Sequence, residues 1–138
     1  MAVIENDFRA MFNKWADKRK KQFKGHNFEH KFVNTTRKKS IHYVRDFEPH
    51  QLDTLYEMQH SGIVYTISNQ SFGKKPCDSV CLWGPSWIVI MFWVPRKTPH
   101  TFYMVNIDSF LRLIGESEKP YFNEEQIASV GKQYKLCG

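Results

Sequence analysis

Apolar residues at Ile4, Phe8, Met11, Phe12 and Trp15 recur every three or four positions, the stripe that one face of a helix presents to a core. They predict a first helix from about Ile4 to Lys21 whose other face is basic. Gly25 punctuates, and the period then changes to two. From His26 to Val33, Phe28, His30 and Phe32 point one way while Glu29, Lys31 and Val33 point the other, which is the pattern of a strand. Asn34 to Ser40 reads as a polar, basic loop.

Pro49, in the run Phe47-Glu48-Pro49-His50-Gln51, suits the first turn of a second helix, where a missing N–H costs nothing. Leu52, Leu55 and Tyr56 form its stripe, Gly62 ends it, and His50, Gln51 and Asp53 are left to face elsewhere. Ile63 to Ser68 reads as a strand and Asn69 to Asp78 as a loop. Ser79 to Trp83 and Trp87 to Val94 are expected to form a hairpin around Gly84-Pro85-Ser86, the second strand being apolar on both faces as a central strand would be. Thr101 to Asn106 reads as another strand and Asp108 to Leu113 as a helix. Asn123, followed by Glu124, Glu125 and Gln126, caps a last helix reaching about Val130. The succession of elements predicts a single α/β or α+β domain over residues 1–138, with a central mixed β-sheet flanked by helices.

Composition narrows the class. At 138 residues with 41% apolar and 15% aromatic content, the chain has enough material for a real core. The longest apolar run, Trp87 to Val94, is far short of the ~20 residues that span a bilayer, and Met1 to Glu5 opens no apolar signal region. A soluble, cytoplasmic protein with no membrane partner is expected. Three cysteines, Cys77, Cys81 and Cys137, are too few and odd in number for a disulfide framework, which suits a reducing compartment.

Charge changes the picture more. The formal net charge is +6, yet residues 1–45 alone hold 12 basic against 4 acidic side chains, so the remainder is mildly acidic. Two basic clusters, Lys18, Lys20, Lys21 and Lys24, then Arg37, Lys38 and Lys39, flank the short apolar-patterned strand. A polyanion is the natural partner, and nucleic acid the favoured one.

The sharpest candidate for chemistry is Phe28-Glu29-His30-Lys31-Phe32. Residues two apart on a strand share a face, so a carboxylate and an ammonium project together. In phosphodiester hydrolysis the carboxylate can hold a divalent ion while the lysine steadies the attacking water or the charge developing on phosphorus. The bland reading is a surface ion pair. Context favours the chemical one: after Glu29-His30-Lys31 come a basic loop, then His50-Gln51 opening a helix, then Gly62-Ile63-Val64-Tyr65 entering a strand.

This arrangement resembles the PD-(D/E)XK nuclease superfamily, and within it the Holliday junction resolvase-like branch of phages and bacteria. The likeness covers residues 26–110 and is most specific from Glu29 to Gln51. It implies a restriction-endonuclease-like fold and a Mg²⁺- (or Mn²⁺-) dependent DNA endonuclease. Glu29 would be a metal ligand, Lys31 the catalytic lysine, and Gln51 the neighbour of the scissile phosphate. His50 would contact phosphate or cap the helix. The superfamily's further acid usually precedes the Glu-x-Lys strand; here that window holds only Asp17, inside the basic helix, while Pro76-Cys77-Asp78 lies downstream. Asp78 is the favoured second metal ligand, with Asp17 and Glu5 as alternatives. Four-way junctions as substrate would imply a two-fold homodimer. The alternatives are a non-catalytic nucleic-acid-binding protein with a decayed nuclease fold, and a basic protein that engages acidic partner proteins.

Overall fold

The computed structural model describes residues 5–68 and 76–136, with side chains given for 6–64 and 81–136. Its centre is a mixed four-stranded sheet of order β1-β5-β6-β8, formed by Asn27–Asn34, Ser86–Trp93, His100–Asn106 and Lys132–Leu136. β1 and β5 run parallel, pairing Glu29 with Ile88 and Lys31 with Ile90; β6 is antiparallel to both β5 and β8. The expected mixed sheet flanked by helices is therefore present.

Alternation decides what each face covers. On β5, Val89, Met91 and Trp93 face helix α1 (Glu5–Asp17) and the short helix α2 (Lys20–Phe23), against Phe8, Phe12, Trp15 and Phe23. Ile88, Ile90 and Phe92 face the other way, into a second core with Leu55, Ile107, Phe110, Phe122 and Ile127. That core lies under α3 (Gln51–His60), α4 (Ile107–Glu116) and α5 (Glu124–Val130). A strand with apolar residues on both faces is what two covered faces require.

The predicted strand 26–33 is β1, with its faces as read: His30 is buried against Phe8 and Phe12, and Val33 sits in the opposite core. The predicted first helix is shorter. It breaks at Lys18-Arg19, where Arg19 leaves the helical region, donates to the Trp15 carbonyl at 3.0 Å and lies over the Trp15 ring. Turning there lets Phe23 fold back onto Trp15. The second helix begins at Gln51, two residues after Pro49, and ends before Gly62, whose φ of +77° is a left-handed conformation that glycine adopts at no steric cost. The Asn123 capping box with Gln126 is present as predicted. Beside it, Tyr103 donates to Glu124 at 2.6 Å, and burial with this bond pushes the Tyr103 hydroxyl up to about 12.

The predicted hairpin between Ser79–Trp83 and Trp87–Val94 does not form. Strand β4 (Pro76–Leu82) pairs antiparallel with β3 (Ile63–Ser68) in a separate two-stranded ribbon. Both edges of β5 are already taken by β1 and β6, so no edge remains for β4. The link between β4 and β5 is instead tied to the rest of the fold. Gly84 N–H donates to the Met58 carbonyl, Asn27 N–H to the Pro85 carbonyl, and Ser86 N–H to Gln59 Oε1. Three short strands fall where none was expected. β2 (Ser40–His42) pairs with β7 (Tyr121–Asn123), and β8 closes the edge of the main sheet.

At Gly84 a Cβ would collide with the Gly25 carbonyl, so the link and the turn before β1 touch backbone to backbone. Gly84→Ala is expected to destabilise the protein by about 1–3 kcal/mol, the usual cost of overpacking where backbone must move. A denaturant midpoint equal to that of the wild type would contradict this close approach.

Candidate functional site

The second core face of β1 carries Glu29 and Lys31, and the start of α3 brings Gln51 over them. Lys31 Nζ lies 3.5 Å from Glu29 Oε1 and donates to Gln51 Oε1 at 3.1 Å. Gln51 Nε2 in turn donates to Glu29 Oε1 at 3.2 Å. The Gln51 carbonyl also accepts the Glu48 backbone N–H at 3.0 Å, which fixes which end of the amide faces which charge. Residues 20 and 22 positions apart in sequence thus close a three-membered polar cluster.

Its surroundings hold it in place. Lys31 Nζ stands 4.6 Å over the ring of buried Phe47, an attraction between cation and ring face that orients the ammonium toward the two oxygens. The Glu29 and Lys31 side chains are only 24% and 14% exposed, so the pair is less screened than a surface ion pair.

Next to the cluster, Lys31, Lys38, Ile41 and Asp46 line a cavity of about 180 Å³. Asp46 was not singled out by sequence pattern. It accepts from His42 N–H at 2.8 Å and pairs with Lys38 at 3.1 Å and Arg45 at 3.2 Å. Burial alone would push its carboxyl up, but these donors outweigh it and hold the group below the ordinary carboxylate range. No local signal marks Asp46: its partners come together only through the turn that follows β2.

The other expected site residues are spread. Arg37 and Lys39 are exposed in the loop after β1, whereas Lys38 is committed to Asp46. His50 is exposed in the turn before α3 and caps nothing with its side chain. Lys18, Lys20, Lys21 and Lys24 are exposed around α1 and α2, over the sheet face opposite Glu29. The two basic clusters therefore do not converge on one surface.

Asp17 lies on α1 on that same opposite face, lining a groove with Phe12 and Phe28, so it is not a partner for Glu29. The intervening sheet separates them. Glu5 begins α1, and its side chain lies outside the described residues. Asp78 is on β4, opposite Ile67 in the ribbon, and its side chain is likewise outside the described residues. Among the described residues no group of three or more His, Cys, Asp or Glu side chains is arranged to hold a metal.

A second polar cluster lies at the far end of α3. Gln59 bridges Asn106, Asp108 and the Ser86 backbone, and His60 Nε2 lies 2.7 Å from Asp108 Oδ1. These bonds join α3 to the start of α4 and to the root of β5. Cys81 is a free, exposed thiol, and Cys77 and Cys137 lie outside the described side chains. Of the aromatic residues in the β4–β6 region, Trp93, Phe92, Phe102 and Tyr103 are core, while Trp83 is exposed. Among the described residues no helix is long and apolar enough to cross a membrane. No family model, curated protein or solved structure matches the chain, so its functional reading rests on its own residues.

Proposed function

We propose that the protein is a metal-dependent endonuclease acting on DNA phosphodiester bonds, with branched DNA such as four-way junctions as substrate and a two-fold dimer as the working form. One observation supports this reading above the rest: Glu29, Lys31 and Gln51, which a nuclease would need together, share one partly buried cluster on one sheet face.

The donor chemistry suits Mg²⁺ or Mn²⁺. Such ions take hard oxygens, commonly one or two carboxylates completed by substrate phosphate oxygens and water. Glu29 is such a carboxylate, and in this proposal Asp78 is the second. Bound there, the ion would supply Lewis-acid polarisation of the phosphoryl oxygen and a more acidic water. The chain's own groups do the rest. Lys31, 3.5 Å from Glu29, donates from Nζ to the water attacking in line or to the phosphoryl oxygen as negative charge grows on it. Gln51 holds Lys31 and Glu29 in register, so neither must be reoriented when the substrate arrives. Arg37 and Lys39, exposed beyond the end of β1, contact the DNA backbone without reading sequence.

A non-catalytic nucleic-acid-binding protein of decayed nuclease fold is the second reading, supported by the exposed Arg37, Lys39, Lys20, Lys21 and Lys24, which can contact phosphates whether or not a metal site is complete. Incubating the protein with labelled four-way junction, duplex and single strand, in Mg²⁺ and in EDTA, separates the two. The nuclease reading expects nicks in Mg²⁺ only. Salt-sensitive binding with intact DNA in both buffers would establish the second reading instead. In either case, affinity is expected to fall steeply with added salt, because each phosphate contact releases a counterion.

A further inference from the structure

Where α1 and α2 meet, half-buried Phe28, backed by the buried rings of Phe12 and Phe23, forms the floor of a groove of about 740 Å³ on the sheet face opposite Glu29. The Phe12 and Phe28 rings are 5.0 Å apart, those of Phe23 and Phe28 6.0 Å. Lys20, Lys21 and Lys24 stand along the rim, exposed, and none of them enters an ion pair among the described residues. Lys38, by contrast, is already neutralised by Asp46. An aromatic floor beneath three uncommitted ammonium groups is complementary to a ligand that joins a flat apolar face to negative charge.

Asn13 and Asp17, four residues apart on α1, also line this groove. Residues at that spacing share a helix face, so an amide and a carboxylate look into the same space. An acyl chain has no use for either, whereas the edge of a nucleobase has donors and acceptors for both. A duplex keeps its bases stacked inside and offers this groove only phosphates. We infer that the α1–α2 groove binds an unpaired nucleotide of a nucleic-acid strand, its base against Phe28 and its phosphates on Lys20, Lys21 and Lys24. This inference rests on nucleic acid being the partner, but not on cleavage at Glu29.

The test is fluorescence anisotropy in EDTA, with a short labelled oligothymidine, an abasic strand carrying the same number of phosphates, and a duplex. The oligothymidine is expected to bind about tenfold tighter than the abasic strand, within the range one stacked base provides. Lys20→Ala, Lys21→Ala and Lys24→Ala combined should weaken both strands. Phe28→Leu should erase the tenfold preference and leave abasic binding in place. Asn13→Ala, on the exposed helix surface and away from the core, should reduce the same preference and stands in if Phe28→Leu does not fold.

Equal affinity for the two strands, a duplex bound as tightly as the single strand, or binding of both strands that the triple lysine substitution leaves unweakened would each overturn the inference. Because EDTA suppresses cleavage, a Glu29→Ala protein that never cuts yet still discriminates the strands keeps the groove and removes only the nuclease reading.

Discussion

Replacing Lys31 by alanine is expected to lower Mg²⁺-dependent nicking of branched DNA by about 10²–10³-fold, the usual loss when one preorganised donor to developing charge is removed. The magnitude follows from how firmly the ammonium is placed. Gln51 Oε1 at 3.1 Å, Glu29 Oε1 at 3.5 Å and the Phe47 ring at 4.6 Å confine Nζ from three sides, so little reorganisation precedes reaction. Water filling the space left by alanine would supply neither the charge nor the orientation. Lys31→Arg keeps the charge but forks it over a larger volume, and is expected to recover only a small part of the rate. The measurement is single-turnover cleavage, with DNA binding in EDTA as the control. A Lys31→Ala protein that binds and cuts like the wild type would remove Lys31 from the chemistry. One that neither binds nor folds would make its role structural.

The second large effect concerns stability in acid. His30 stands between Glu29 and Lys31 in the chain but points to the other side of the sheet, where the Phe8 and Phe12 rings meet it edge-on at 5.8 and 4.8 Å. It is only 8% exposed, and its Nε2 has no hydrogen-bond partner. Burial, aided by the Arg9 charge, lowers its pKa from 6.5 to about 4, so the folded protein holds the ring neutral.

The unfolded chain takes up the proton first. Stability is therefore full above about pH 6.5, falls as the pH drops toward about 4, and levels off below that. At ~1.4 kcal/mol per pKa unit, the loss across this window is about 3 kcal/mol. His30→Leu keeps an apolar side chain under α1 and removes the titrating group. Denaturant unfolding of this variant between pH 4 and 7 is expected to show a stability profile flatter than the wild type by that amount. Parallel profiles would mean that His30 does not carry the acid sensitivity.

Much of this architecture could be read locally. The alternation from Phe28 to Val33 assigned Glu29 and Lys31 to one face and His30 to the other, because a strand places successive side chains on opposite sides whatever it pairs with. The chain stop at Gly62 and the Asn123 cap were equally legible, since each depends on backbone conformation within a few residues. Short strands such as Ser40–His42 and Tyr121–Asn123 were not, as three residues carry too little periodicity to separate from loop.

By itself, then, the sequence determined which side chains of β1 share a face, that the helix opening at Gln51 stops at Gly62, and that the N-terminal third is basic. The tertiary structure alone decided that β5 lies between β1 and β6, that β4 turns away to β3, and that the two lysine clusters occupy different surfaces. It also decided that the Gln51 amide bridges Glu29 and Lys31, and that Asp46 sits beside Lys31. Facing follows from the geometry of one residue and its neighbours, whereas pairing depends on which strand edges and which packed faces remain open when distant segments meet.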